Sequence, residues 1–101
     1  MDKLATASAS AAGPVAAEMR RRLGAALAPT SCDLVDESAL HHGHAGHDGR
    51  GESHFRLSIE SPAFAGQSRV ARQRLVYAAL GELMHDRVHA LSITARAPGE
   101  A

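Results

Sequence analysis

At 101 residues, with Lys+Arg 11 balanced by Asp+Glu 11, the chain has the length of one domain and no net charge while its histidines stay neutral. Nearly half of the hydrophobic residues are alanine and Trp is absent, which limits the core to one thin layer of helices on a small sheet. One cysteine excludes an internal disulfide framework and an all-cysteine metal site within the chain, and no apolar run approaches the roughly 20 residues of a membrane helix. Residues 1–13 are rich in Ala and Ser and lack the apolar block of a secretory signal, so a cytoplasmic protein with no membrane contact is expected. They have little to bury and are expected to fray, as are 97–101, leaving 14–96 as the domain. Pro14 suits the first position of a helix, where a missing N–H costs nothing, and Val15, Met19, Leu23 and Leu27 then make one apolar stripe. Pro29 closes that helix, and at least two of Arg20, Arg21 and Arg22 must point away from the stripe. In SCDLVDES, Cys32 and Leu34 share one face of a short strand, with Asp33 and Val35 on the other.

The pattern then stops. Residues 38–51 are rich in His and Gly, with only Leu40 as a large apolar residue, and read as a loop carrying His41, His42, His44 and His47. In ESHFRLSIE the alternation of Phe55, Leu57 and Ile59 with polar residues marks a strand with one covered and one wet face. SPAFAGQS is a turn anchored by Phe64, after which Ser68 can cap a helix. Val70, Val76, Leu80, Leu83 and Met84 form its inner stripe, and it runs to about His85 and Asp86. RVHALSITA is the last strand, with His89 in phase with Leu91 and Ile93. The order is helix, strand, strand, helix, strand, an α+β arrangement.

A strand–helix–strand connection almost always lays the two strands parallel in one sheet. The third strand therefore starts at the sheet end where the second starts, and the histidine loop runs into that same end. His89 is expected to lie beside the loop despite the long sequence separation. Imidazole binds Zn, Cu, Ni or Fe in its neutral form, and a structureless loop of about 14 residues is long for a compact domain and commonly functional. Two plainer readings stay open: the loop is solvated and merely His-rich, and His89 is a core-edge histidine. His54, on the wet face, reads as a surface hydrogen-bonding residue, and His85 as a favourable cation near a helix end. Arg69, Arg72 and Arg74 open the second helix, where cations oppose the helix dipole, so either nearby carboxylates or an anionic partner offset them. Cys32, in phase with Leu34, reads as a small buried hydrophobe. No Ser-His-Asp set, paired carboxylates, phosphate loop or dinucleotide fingerprint occurs, and no enzyme is expected.

Several segments in order carry a family resemblance: DES with the following His (Asp36 and His41), ESHF (Glu52 and Phe55), FAGQS (Phe64 and Ser68), VARQRLVYAAL (Val70 and Leu80) and VHALSI (Val88 and Ile93). The chain resembles the BolA family. The resemblance implies a class II KH-like α-β-β-α-β fold, a three-stranded mixed sheet with helices on one face. It also implies partnership with a monothiol glutaredoxin through a shared, bridged [2Fe–2S] cluster in cluster trafficking or iron sensing, none being tightly bound by the isolated chain. The implied ligands are His89 and a loop residue matching His41, with His42, His44 and His47 as alternates. Bacterial members are also described as DNA-binding regulators of morphology and stress genes, and that activity would fall on 64–74, with Gly66, Ser68, Arg69, Arg72 and Arg74 as candidate contacts to double-stranded DNA. Alone, the chain is expected to be a monomer or weak homodimer. The chain departs from the family pattern at Gln73, where many members carry His, and it lacks the GxxG clamp of RNA-binding KH domains.

Overall fold

The computed structural model describes residues 10–38 and 53–100. Their order is α1 (Pro14–Leu27), β1 (Ser31–Asp36), β2 (His54–Glu60), a single 3-10 turn (Pro62–Phe64), α2 (Arg69–Leu80), the one-turn α3 (Leu83–Asp86) and β3 (Ala90–Arg96). The sheet order is β1-β2-β3. β1 runs antiparallel to β2, with Leu34 opposite Leu57, and β3 runs parallel to β2, with His54 opposite Ala90 and Leu57 opposite Ile93. This is the mixed three-stranded sheet and α+β class expected from the residue pattern.

The alternation that specifies β2 also specifies the core. Leu34, Phe55, Leu57 and Ile59 are buried against Val15, Met19, Leu23 and Leu27 of α1 and Val76 and Leu80 of α2, with Leu91, Ile93 and Ala95 half-buried at the margin. The opposite face carries exposed Asp33, Arg56, Ser92 and Thr94. Phe64 is fully buried where the chain leaves the sheet. The Ser61 hydroxyl fixes that turn, donating to Leu27 O at 2.6 Å and accepting from Ala63 N–H at 3.1 Å.

Each helix start follows its local sequence. Pro14 stands at the first turn of α1, and Ser68 caps α2 by accepting the Ala71 N–H at 3.1 Å. Of the three arginines in α1, Arg21 points to solvent while Arg22 crosses to α2 and donates to Leu80 O at 2.8 Å. That places a cation on an orphan carbonyl at the negative end of a helix.

Four expectations need correction. The second helix does not run unbroken to Asp86. It ends at Leu80, because Gly81 adopts φ 55° ψ −128° and directs the chain into the separate α3. Val70 is 54% exposed rather than part of the inner stripe, since it lies about 120° around the helix from Val76. The chain is docked from Ala11, which is buried and donates its N–H to Leu34 O at 2.7 Å. At the other end Ala97 is buried and Glu100 is bound to Arg72, so the tie extends past 96.

Candidate ligand rim and arginine face

The parallel register brings the starts of β2 and β3 to one rim, together with the end of β1. Ser53 O accepts from both His89 N–H, at 2.7 Å, and Ala90 N–H, at 3.2 Å. His54 O accepts the Glu37 N–H at 2.7 Å. Ser38 and Ser53 are both buried. Ser38 Oγ accepts from Ser53 N–H at 2.8 Å and from His54 N–H at 3.3 Å. The two residues that flank 39–52 are thus bonded to each other, and His89 is bonded to one of them.

His89 precedes β3 and is exposed, so it is not the core-edge histidine that strand phase allowed. Its ring meets His54 nearly edge-on, with centroids 6.0 Å apart and planes at 80°. His54 Nδ1 lies 2.9 Å from Ser53 Oγ, which agrees with a hydrogen-bonding role on the sheet surface. The neighbouring imidazole went unread in the sequence, although a parallel register with β3 starting beside β2 carries the signal. His41, His42, His44 and His47 lie outside the described residues.

Cys32 is half-buried rather than buried, packed against the margin of the core, and lies opposite Ile59 toward the other end of the sheet. Burial pushes its thiol pKa up. From Cys32 to Asp36, beside the rim, β1 advances four residues, about 13 Å at strand rise. Cys32 and His89 are therefore not brought together.

The arginines of α2 form a second surface. Gly66 adopts φ 76°, a left-handed conformation favouring glycine, and turns the chain toward the Ser68 cap. Arg72 donates from Nε to Gln67 O at 2.9 Å, from Nη1 to Ala95 O at 3.1 Å, and from both Nη atoms to the Glu100 carboxylate at 2.6 and 2.7 Å. A nearby carboxylate thus neutralises this arginine, one of the two outcomes left open. Arg69 and Arg74 remain exposed with no ion pair among the described residues. Gln67, Arg69, Arg72 and Gln73 face Ile93, Thr94 and Ala95 across a cavity of about 360 Å³. Among the described residues no helix is long and apolar enough to cross a membrane.

Comparison with known proteins agrees with this architecture. The family model for BolA-like proteins matches residues 23–100. Human BolA-like protein 1 is 44% identical over 95 residues, covering 94% of this chain and 66% of that protein. Protein BOLA1, chloroplastic, from Arabidopsis thaliana is 42% identical over 88 residues, covering 85% of this chain and 55% of that protein. The chain therefore spans less than two thirds of either relative, and with a chloroplastic protein among its relatives the family does not dictate a compartment. The solved BolA domain of SufE1 from Arabidopsis thaliana superimposes with a TM-score of 0.79 at 42% identity, over 90% of this chain and all of that domain. Sequence motifs, sheet register and superposition agree: this chain belongs to the BolA family.

Proposed function

We propose that the protein is a non-enzymatic partner of monothiol glutaredoxins that shares a bridged [2Fe–2S] cluster in iron–sulfur trafficking or iron sensing. The observation that carries this reading is the exposed His89 ring on the rim where Ser38 and Ser53 meet. His89 supplies one imidazole to an iron. His41 supplies the second by the family motif, with His42, His44 and His47 as alternates. Thiolate comes from the partner, because Cys32 is half-buried and sits toward the other end of the sheet. Two imidazoles in place of two thiolates on one iron raise the reduction potential, as in Rieske centres, and make ligation sensitive to pH.

Anaerobic mixing of the two proteins with iron and sulfide is expected to yield a coloured heterodimer whose visible spectrum differs from that of the glutaredoxin alone. His89→Ala is expected to abolish that difference. An unchanged spectrum would overturn the ligand assignment. Substituting His41, His42, His44 and His47 one at a time identifies the second ligand by the same readout.

Exposed Arg69 and Arg74 favour a second reading, a DNA-binding regulator using the start of α2 with Gly66 and Ser68 at its approach. Phosphate contacts release counterions, so binding to double-stranded DNA is then expected to fall with salt and to weaken on Arg69→Ala or Arg74→Ala. Arg72 contributes only after Glu100 leaves it. Binding with no sequence preference would reduce this reading to bare electrostatics.

A further inference from the structure

Arg72 is a cation that the fold has almost enclosed, and its counter-ion is a residue that can leave. Its side chain is 14% exposed, against 41% for Glu100. We propose that Arg72 is the floor of an oxyanion site for a phosphate group, and that Glu100 closes this site in the free chain as a built-in substitute for the ligand. With nucleic acid as the source of the phosphate, the inference rests on the DNA reading above and adds its regulation. With a free phosphate ester it stands without that reading.

The first support is preorganisation. Gln67 O accepts from Arg72 Nε at 2.9 Å and Ala95 O accepts from Nη1 at 3.1 Å, so a turn and a strand hold the guanidinium in one pose. That pose leaves the Nη1 and Nη2 edge to donate to the two carboxylate oxygens of Glu100, at 2.6 and 2.7 Å. Such a fork accepts carboxylate and phosphate oxygens alike. A cation so far from water needs a counter-ion, and loss of one anion favours entry of another.

Room beside the fork is the second support. Arg72 lines a cavity of about 360 Å³ together with Gln67, Arg69, Gln73 and Thr94. Arg69 is exposed and has no ion pair among the described residues, so it adds a second positive charge to the same walls. A phosphate group carries up to about two negative charges near neutral pH, and two arginines match it better than they match the single charge of Glu100.

The third support is how Glu100 is delivered. Pro98 and Gly99 occupy the middle of a turn that Glu100 N–H closes on Ala97 O at 3.2 Å, with Gly99 at φ 90°. This is the type II pattern, proline second and glycine third. Ala97 is buried and anchors the turn, and its N–H donates to Glu100 Oε1 at 3.0 Å. Rotation within 98–100 therefore withdraws the carboxylate and leaves β3 in place. A tethered carboxylate acts at a high effective concentration, so the intact chain is expected to bind free phosphate weakly.

The test uses the full-length chain with inorganic phosphate as the probe, followed by NMR at the Arg72 Nε–H and the Ala97 amide. Glu100→Ala is expected to tighten phosphate binding at least about 10-fold by removing the tethered competitor. Adding Arg72→Gln is expected to erase that gain. Arg69→Ala, at an exposed position, serves should the Arg72 variant unfold, and is expected to remove part of the gain. Gly99→Ala strains a φ that favours glycine and is expected to act in the same direction as Glu100→Ala while keeping the carboxylate. Glu82→Ala removes an equal charge at an exposed site elsewhere and is expected to change nothing. Titration with duplex DNA at several salt concentrations then separates the sources. Nucleic acid predicts a slope of log affinity against log salt steeper by about 0.9 in Glu100→Ala, the signature of one more phosphate contact, whereas a free ester predicts no change in slope. Phosphate affinity indifferent to Glu100, a gain shared by Glu82→Ala, or a gain that survives Arg72→Gln overturns the proposal. Duplex binding that persists through such a result keeps the DNA reading, and phosphate binding without duplex binding sinks the DNA reading alone.

Discussion

Glu100 shows how much a single carboxylate can do near the end of this chain. Two bonds from the Arg72 guanidinium, and then one from Ala97 N–H, lower its pKa from 4.5 to about 2. A depressed carboxyl contributes stability that is present above the unfolded pKa and lost as pH falls through the folded one. Hydrogen-exchange protection of the Ala97 amide is therefore expected to decline between pH 4.5 and about 2, and Glu100→Gln is expected to remove that dependence. The same contact decides how Arg72 reads. In the sequence it is one of three cations at a helix start, whereas in the fold it is neutralised by a residue 28 positions away. No local pattern pairs residues at that distance. Leu57 lies at the other extreme: its strand phase already marks it as core. It is fully buried in the central strand, and Leu57→Ala is expected to cost about 2–5 kcal/mol in a denaturant titration.

Caps and breaks decide where the elements stop. Ser68 stands where a capping residue is expected, and its Oγ accepts the Ala71 N–H, so Ser68→Ala is expected to destabilise by about 1 kcal/mol. Helix α1 ends differently. Ala28 takes φ 45° ψ 57° at its C-cap, a left-handed conformation that penalises a Cβ. Ala28→Gly is expected to raise the stability by roughly 0.5–1 kcal/mol, the glycine's extra freedom in the unfolded chain offsetting part of the relief. A thermal melt at matched pH checks both variants. Pro29 announced the end of α1, yet nothing local announced a left-handed alanine. Gly81 had the reverse fate: a single glycine inside an apolar stripe is tolerable in a helix, and Leu83 and Met84 continue the pattern past it. Gly81 turns the chain out of the helix at φ 55° ψ −128°, and Arg22, reaching from α1, occupies the carbonyl this leaves at Leu80, with its Nη1 3.4 Å from where a Gly81 Cβ would stand.

At the scale of the whole molecule, topology does what sequence distance hides. The strand–helix–strand rule placed the start of β3 beside the start of β2, and the observed register sets His54 opposite Ala90. His89 consequently bonds Ser53, which is itself bonded to Ser38, and these two residues flank the histidine-rich stretch. If cluster sharing uses this rim, His89→Ala is expected to abolish the heterodimer spectrum while leaving the fold intact, because the exposed ring contributes little burial and the Ser53 O bond uses only the backbone of residue 89. Circular dichroism and thermal unfolding of that variant provide the control.

The residue pattern determined the element order, the mixed sheet, the buried face of β2, the Ser68 cap and membership of the BolA family, since each depends on period, phase or short motifs within a few residues. Tertiary structure decided the pairing of Arg72 with Glu100, the reach of Arg22 onto α2, the exposure of Val70 and the meeting of His54 with His89. Each of those joins side chains from different elements or depends on which arc of a helix the sheet covers. Distances of that kind exist only once the layers have packed.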